Sequence, residues 1–214
     1  IESVKNLRKG KDFVDWLIFT TPYIQLIALH AEFTNEIEKC LSKNNCNSLL
    51  KNYELFLIDK IQDIKKNIID CNLFNDQYKY SCTITQLIKL RDQVHSLLTN
   101  KKNWSTFFKI RFETSKSNLN RILIEFLDQK FEHGYEFWGK IPNLIYSPSI
   151  NDSIIALTFC WMKQKIPLIN SSHSSGKQLL MKSMACINGL FSFIVRSFPD
   201  LSEFTLSRLL IGGI

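Results

Sequence analysis

Glycine and proline are scarce in this sequence, which has 7 glycines and 5 prolines among 214 residues. Few of them fall within residues 1–140, where no convincing strand pattern occurs either. Because these two residues interrupt helices and build tight turns, their scarcity predicts a packed helical assembly for this part. No apolar run approaches the roughly 18 residues of a membrane-spanning helix, so we expect no membrane partner. With 45% hydrophobic and 22% charged residues, the composition is typical of a globular protein.

Paired cysteines and metal-ligand spacings are missing as well. The sequence has no C-x-x-C pair, and no histidine lies at ligand spacing from a cysteine or from another histidine. A chain of this length needs no disulfide staple, so we predict reduced thiols in a cytosolic protein and no metal site. The residues concerned are Cys40, Cys46, Cys71, Cys82, Cys160, Cys186, His30, His95, His133 and His173.

The chain carries a net charge of +7, from 27 Lys and Arg against 20 Asp and Glu. A basic balance favours nucleic acid, a membrane surface or an acidic protein as partner. The basic residues form no block interleaved with aromatics, so we interpret them as solvated lysines on helix faces and expect no nucleic-acid partner. A basic module that binds nucleic acid or an acidic partner remains a competing hypothesis, supported by the net charge alone.

Apolar residues recur at helical spacing through most of the first part. Pro22 suits the first turn of one helix, where its missing N–H costs nothing, and the polar stretch 42–48 separates this helix from the next. Residues 103–112 form a shorter aromatic segment. The predicted helices span residues 22–41, 49–69, 83–98 and 117–131.

The composition changes near residue 132. Gly134 and Gly139 bracket an aromatic turn, and residues 143–147 look extended between two prolines. Asn151 or Asp152 is a candidate cap for the helix that follows. Beyond it the sequence predicts a buried strand at 166–169, a helix at 177–188, a strand at 191–195 and a helix at 202–210. This order is the start of a parallel α/β unit, and a sheet of two strands is incomplete.

The loop between the strand at 166–169 and the next helix has the layout of a phosphate-binding loop. Its sequence, SSHSSGKQ at 171–178, departs twice from the pattern G-x-x-x-x-G-K-[ST]. Ser171 replaces the first glycine, and Gln178 replaces the hydroxyl residue that ligates magnesium. Gly176 and Lys177 keep the most electrostatic part of the motif, a helix N-terminus and a cation for phosphate.

Several segments resemble the dynein heavy chain family, at the junction between its linker and its first AAA+ module. The segment QKFEHGYEFWGKIPNLIYSPSINDSIIALTF at 129–159 is similar to the family's junction, which continues without a gap into the loop SSHSSGKQ. FIVRSFPDLSEFTLSRLL at 193–210 resembles the strand and helix that follow, and DWLIFTTPYIQLIALHAEFT at 15–34 resembles the linker more loosely. The resemblance implies a mostly α-helical linker segment at 1–132. It implies an incomplete α/β AAA+ module of the P-loop NTPase type, with a degenerate phosphate loop, at 133–214.

The resemblance also implies a nucleotide site for ATP or ADP with magnesium. Ser174 replaces a further glycine of the family, and a positive φ at Ser171 or Ser174 would cost on the order of 1–2 kcal/mol. Hydrolysis, binding without efficient hydrolysis and a vestigial loop all remain open, and the lost magnesium ligand argues most directly against turnover. No catalytic residue and no metal ligand is assigned. The implied site residues are Ser172, His173, Ser174, Ser175, Gly176, Lys177 and Gln178 in the loop, with Leu144 and Ile145 on the adenine side.

The function implied is that of a fragment of a microtubule motor subunit, in which the junction couples nucleotide state to linker movement. The alternative is a dynein-like scaffold for assembly that does not hydrolyse ATP. These residues hold no Walker B acid, sensor, arginine finger, stalk or microtubule-binding tip, so we expect a longer chain and leave enzymatic activity open. The implied partners are the other AAA+ modules of that chain, dynein intermediate and light chains and, through absent regions, the microtubule. The implied location is the cytoplasm and cytoskeleton, including the axoneme of a cilium or flagellum.

Overall fold

The computed structural model describes residues 13–70, 73–99, 103–114, 120–127, 129–142, 144, 147–192, 202 and 207–208. Four helices come first, then a small sheet, then two more helices. The helices are α1 (Phe13–Phe19), α2 (Pro22–Leu41), α3 (Cys46–Asp70), α4 (Phe74–Thr99), α5 (Pro148–Met162) and α6 (Lys177–Asn188). The strands are β1 (Lys109–Thr114), β2 (Asn120–Phe126) and β3 (Gln129–Glu132).

Helix α2 is the central element of the first part. It begins at Pro22, after an extended Thr21, and both bounds agree with the prediction. Helices α3 and α4 also confirm predicted helices, but each begins earlier than predicted, α4 by nine residues at Phe74 rather than at residue 83. The first turn of α4 is polar after Phe74, with Asn75, Asp76 and Gln77, so apolar spacing does not reveal where the helix begins.

The helix predicted at 117–131 is wrong, because its described residues form β2, β3 and the turn between them. The three strands pair in the order β1-β2-β3, all antiparallel. Ile110 pairs with Ile124 and Ile124 with Phe131, which places an apolar row on one face. Ile110 and Ile124 are both fully buried, in a cluster that includes Ile27 and Ala31 of α2. Packing on α2 therefore selects strands where short apolar runs alone fit either structure.

A network of charged side chains fastens this sheet to α2. Lys109 Nζ lies 3.0 Å from Glu125 Oε1, and Arg111 Nε lies 2.6 Å from Glu125 Oε2. The Arg111 guanidinium also donates to both carboxylate oxygens of Glu38 on α2. Burial alone would raise the pKa of Glu125, but the hydrogen bonds from Arg111 and Lys109 outweigh it and lower that pKa.

Two apolar clusters form the core. The first lies among α1 to α4 and includes Leu17, Phe33 and Ile64, all 0% exposed. The second combines residues of α2, α4 and the sheet with residues of α5 and α6, among them Ile154 and Ile187. The second cluster therefore joins the two parts of the chain.

Helix α5 is capped differently from the prediction. Ser147, rather than Asn151 or Asp152, is the N-cap, and its Oγ accepts a hydrogen bond from the Ile150 N–H at 3.3 Å. Pro148 takes the first helical position, where proline fits because that N–H has no partner within the helix. The polar pair lies inside the helix because the Ser-Pro pair begins it earlier.

The buried strand predicted at 166–169 is also wrong. These residues lie in an unpaired coil, and Ile166 and Leu168 are 98% and 94% exposed. No described strand lies beside them to form the sheet that would bury such a run. Of the predicted strand at 191–195 only Phe191 and Ser192 are described, and the predicted helix at 202–210 lies mostly outside the described residues.

At the level of fold class the prediction is confirmed: the chain is mostly helical, and a helical segment precedes an incomplete α/β module. Within the described ranges, no helix combines the length and the apolar character needed to cross a bilayer. The same ranges contain no group of three or more His, Cys, Asp or Glu that could hold a metal ion.

Candidate functional site

The predicted loop lies directly before α6, and two of its residues have left-handed backbone. Gly176 is the N-cap of α6, with φ +81° and ψ +13°. Ser174 has φ +59°, whereas Ser171 does not have a positive φ. A non-glycine residue in this region costs on the order of 1–2 kcal/mol. Of the two serines in glycine positions, only Ser174 therefore bears this strain.

Lys177 folds back on its own loop. Its ammonium group donates hydrogen bonds to the Ser171 carbonyl at 2.9 Å and to the Ser172 carbonyl at 2.7 Å. A third hydrogen bond closes the loop, because the hydroxyl oxygens of Ser171 and Ser175 lie 2.5 Å apart. A phosphate that binds Lys177 would compete with two backbone carbonyls.

An open cleft of about 810 Å³ lies at this end of α6. Lys177, Lys182 and His173 line it, and none of its described lining residues is a carboxylate. The first N–H groups of a helix have no intrahelical partner and carry partial positive charge. The cleft can therefore accept an anion. Gln178 also lines it and offers an amide oxygen where a phosphate loop normally offers a hydroxyl to magnesium.

The structure brings most of the predicted site residues together, but not the adenine side. His173, Ser174, Ser175, Gly176, Lys177 and Gln178 line the cleft, and Ser172 contributes the carbonyl that binds Lys177. Leu144 does not line it. That residue is 8% exposed and lies in the second core cluster, against which Leu180 of α6 packs. Ile145 lies outside the described residues.

Two residues of the cleft, Leu179 and Lys182, were not predicted. The motif ends at residue 178, so it gives no weight to side chains on the following turns. Lys182 could have been identified as a cleft residue from its position within the first two turns of the helix, since such a side chain can reach back toward the helix N-terminus.

The opposite end of α6 is held by the segment after β3. Gly189 caps the helix with φ +62°. The Gly134 N–H donates to the Asn188 carbonyl at 2.9 Å, and the Glu136 N–H donates to the Gly189 carbonyl at 2.9 Å. We call the contacts of His133, Gly134, Glu136, Asn188 and Gly189 the α6 junction.

His133 is the buried centre of the α6 junction, with 2% of its surface exposed. The Tyr135 N–H donates to Nδ1 at 3.0 Å, so the neutral ring carries its proton on Nε2. Nε2 lies 3.2 Å from the Tyr23 hydroxyl on α2. Burial lowers the pKa of His133 to about 4, which keeps the ring neutral at neutral pH. No local sequence pattern indicates this role, because it requires a contact between residues 110 positions apart.

No protein-family model matches the chain. It is similar to the dynein heavy chain-like protein 1 of Plasmodium falciparum (isolate 3D7), with 24% identity over 205 residues. The match covers 88% of this chain but only 4% of the relative's length. At that coverage it includes residues of both the helical part (1–132) and the loop-bearing part (133–214). The comparison points to a dynein-related family and assigns no role to the loop or to any residue in it.

Proposed function

We propose that this chain is the part of a dynein heavy-chain-like protein where a helical linker joins the first AAA+ module. We further propose that the loop before α6 binds the phosphates of a nucleotide. The observation that carries this proposal is the cationic cleft at the start of α6, where Lys177 and Lys182 lie near a helix N-terminus and no described lining residue is a carboxylate. The resemblance at 129–178 and the similar relative support the family.

The loop favours nucleotide binding over rapid hydrolysis. Phosphoryl transfer depends on a positioned metal ion, and Gln178 is a poorer ligand than the hydroxyl it replaces because its amide oxygen lies further from the backbone. Lys177 and the helix N-terminus need no metal to attract phosphate. A nucleotide held without efficient turnover is the function that this cleft supports best.

The packing supports a route by which nucleotide state would reach the linker. Cys186 and Ile187 of α6 share the second core cluster with Tyr23 and Ile27 of α2. A displacement of α6 would disturb that cluster, because close-packed interiors transmit strain. The other AAA+ modules of a longer chain, intermediate and light chains and the microtubule are the partners proposed with this function. Its proposed place is the cytoskeleton or an axoneme.

A non-hydrolysing scaffold is the second candidate. The bonds from Lys177 to two loop carbonyls, together with the Ser171–Ser175 hydroxyl contact, favour it because they satisfy the loop without a ligand. In that case the α6 region serves assembly, and no nucleotide enters the cleft.

A titration of fluorescent ATP into the full-length protein, with and without magnesium, tests the proposal. Any other phosphate loop of that protein would be disabled. We expect Lys177→Ala to weaken binding at least tenfold, because the cation nearest the helix N-terminus is lost. Lys165→Ala is the matched control, since Lys165 is an exposed lysine of the same part that does not line the cleft. We expect it to bind as the parent does.

Comparing the titrations with and without magnesium distinguishes nucleotide binding alone from binding followed by hydrolysis. Gln178→Thr restores a hydroxyl, so we expect it to make binding more dependent on magnesium and to raise any ATP turnover. Equal binding by the parent and the Lys177→Ala variant would contradict the nucleotide site and favour the scaffold.

A further inference from the structure

We propose that His133 is a positioning residue that holds the C-terminal end of α6 on α2 and thereby sets the orientation of the Lys177 loop at the other end of the same helix. The proposal rests on the proposed function only where nucleotide affinity is its readout. It adds a residue, outside the loop motif, on which the cleft depends.

The position of the His133 ring is fixed on several sides. Its backbone N–H donates to the Ile122 carbonyl of β2 at 3.0 Å, which ties the residue to the sheet. Nδ1 accepts from the Tyr135 N–H, and Nε2 meets the Tyr23 hydroxyl. Tyr135 is itself tied to the sheet, because its hydroxyl accepts from the Ile122 N–H at 2.8 Å. Every polar atom of the buried ring is therefore paired, and it links the sheet to α2.

The ring also lies directly against the end of α6. A Cβ added at Gly189 would stand 2.1 Å from Cε1 of His133, and one added at Gly134 would stand 2.3 Å from the Gly189 carbonyl oxygen. Neither separation leaves room for a side chain. The two glycines thus allow His133 and the backbone after it to approach the last turn of α6 more closely than other residues would.

Helix α6 is held at this end and open at the other. Residues Ser183 to Asn188 are all buried, whereas Gln178, Leu179 and Lys182 nearer the cleft are exposed. Its 12 residues correspond to a rigid rod about 18 Å long. A small rotation at the held end moves the free end, which carries Gly176 and Lys177. The α6 junction therefore determines where the cleft faces.

His133→Asn in the full-length protein is the main test. The amide oxygen of Asn can replace Nδ1 as acceptor for the Tyr135 N–H, but the side chain is too short to reach Tyr23. We expect hydrogen exchange at the Gly134 and Glu136 amides to become at least tenfold faster, and ATP affinity to fall about fivefold or more. His133→Gln keeps a donor that can reach Tyr23, so we expect it to recover part of both losses.

Two further variants distinguish a local effect at the α6 junction from a general loss of stability. Tyr23→Phe removes only one hydroxyl, and we expect it to move both readouts in the same direction as His133→Asn but less. His30→Asn is the matched control, since His30 is also 2% exposed but packs against Phe33 and Phe108. We expect His30→Asn to lower overall stability without a selective change at Gly134 and Glu136.

The outcomes separate this inference from the proposed function. The role of His133 would be overturned if both His133→Asn and Tyr23→Phe left hydrogen exchange at Gly134 and Glu136 at the level of the His30→Asn control. Faster exchange with unchanged ATP affinity would overturn the link from the α6 junction to the loop. If the parent protein binds no ATP, the proposed function fails, while the exchange experiment still decides whether His133 holds α6.

Discussion

The apolar stripes of the helical part are buried, whereas the apolar run just before the loop is exposed. In the helical part the stripes of α2, α3 and α4 meet one another, and Phe33, Ile37 and Ile64 are 0% exposed. In the loop-bearing part the run before the loop stays in solvent, with Ile166 98% and Leu168 94% exposed. The stripes and the run contain similar apolar residues, so the difference in their burial depends on which neighbouring elements cover them.

The contrast shows that burial depends on partners as well as on side-chain type. Helix α2 is covered on two sides, by α4 and by the sheet, so most of its apolar residues are buried. The run at 166–169 would need strands beside it and helices on both faces, as parallel strands usually have. The described residues supply neither, which agrees with the expectation of an incomplete α/β module.

The largest test of this contrast is a pair of truncations, Phe33→Ala and Leu168→Ala. Phe33 packs near Tyr53 and Trp104. Its truncation removes buried apolar surface and also leaves a cavity, and both effects destabilise the folded state. We expect Phe33→Ala to lower the free energy of unfolding by about 3–5 kcal/mol. Urea unfolding followed by circular dichroism measures it.

Leu168→Ala is the other half of the pair. Its side chain is almost fully exposed, and we expect a change within about 0.5 kcal/mol, as for other surface substitutions. A loss above about 2 kcal/mol, the scale of a buried leucine, would show that Leu168 is covered in solution and would break the contrast.

Much of the helical part could be predicted from the sequence, but its sheet could not. Pro22 and the apolar stripe give both ends of α2, because the cause of each is local. The β2–β3 hairpin has no such signal. Its turn places Leu127 at φ +47°, where Asn or Gly is usual, and its apolar run fits a helix equally well. Only contact with α2, distant in sequence, decides between them.

The candidate site divides in the same way. Gly-Lys before an apolar-periodic segment predicts the start of α6 and the place of Lys177, because a helix N-terminus and its cap are local features. Lys182 lies beyond the motif. His133 depends on a contact with Tyr23 from another part of the chain, so no local pattern could have identified it.

His133 lies where the two parts meet, and its protonation gives the next test. Its pKa falls from 6.5 to about 4 on folding because burial disfavours the charged ring. Between these values the unfolded chain binds a proton that the folded chain does not. Stability is therefore full above pH 6.5 and declines as the pH falls toward 4. From pH 7 to pH 5 this residue alone should remove about 2 kcal/mol.

Comparing the parent with His133→Asn isolates this contribution, since every other titrating group is kept, including His30, whose pKa burial also lowers. We expect the variant to lose about 2 kcal/mol less than the parent does between pH 7 and pH 5 in urea unfolding. Equal losses in the two proteins would mean that His133 is not buried in solution and that the two parts are not joined through it.

The smallest expected effect concerns the loop itself, where Ser174 bears backbone strain that the helical part avoids at its buried positions. Ser174→Gly relieves a left-handed conformation worth on the order of 1–2 kcal/mol, but glycine gains about 0.5–1 kcal/mol of freedom in the unfolded chain. We expect a net stabilisation of about 0.5 kcal/mol.

Ser172→Gly is the matched control, because Ser172 has no positive φ. Only the entropic effect remains there, so we expect this variant to be destabilised. Thermal unfolding of both variants against the parent measures the difference, and a destabilising Ser174→Gly would mean that Ser174 does not take the left-handed conformation in solution.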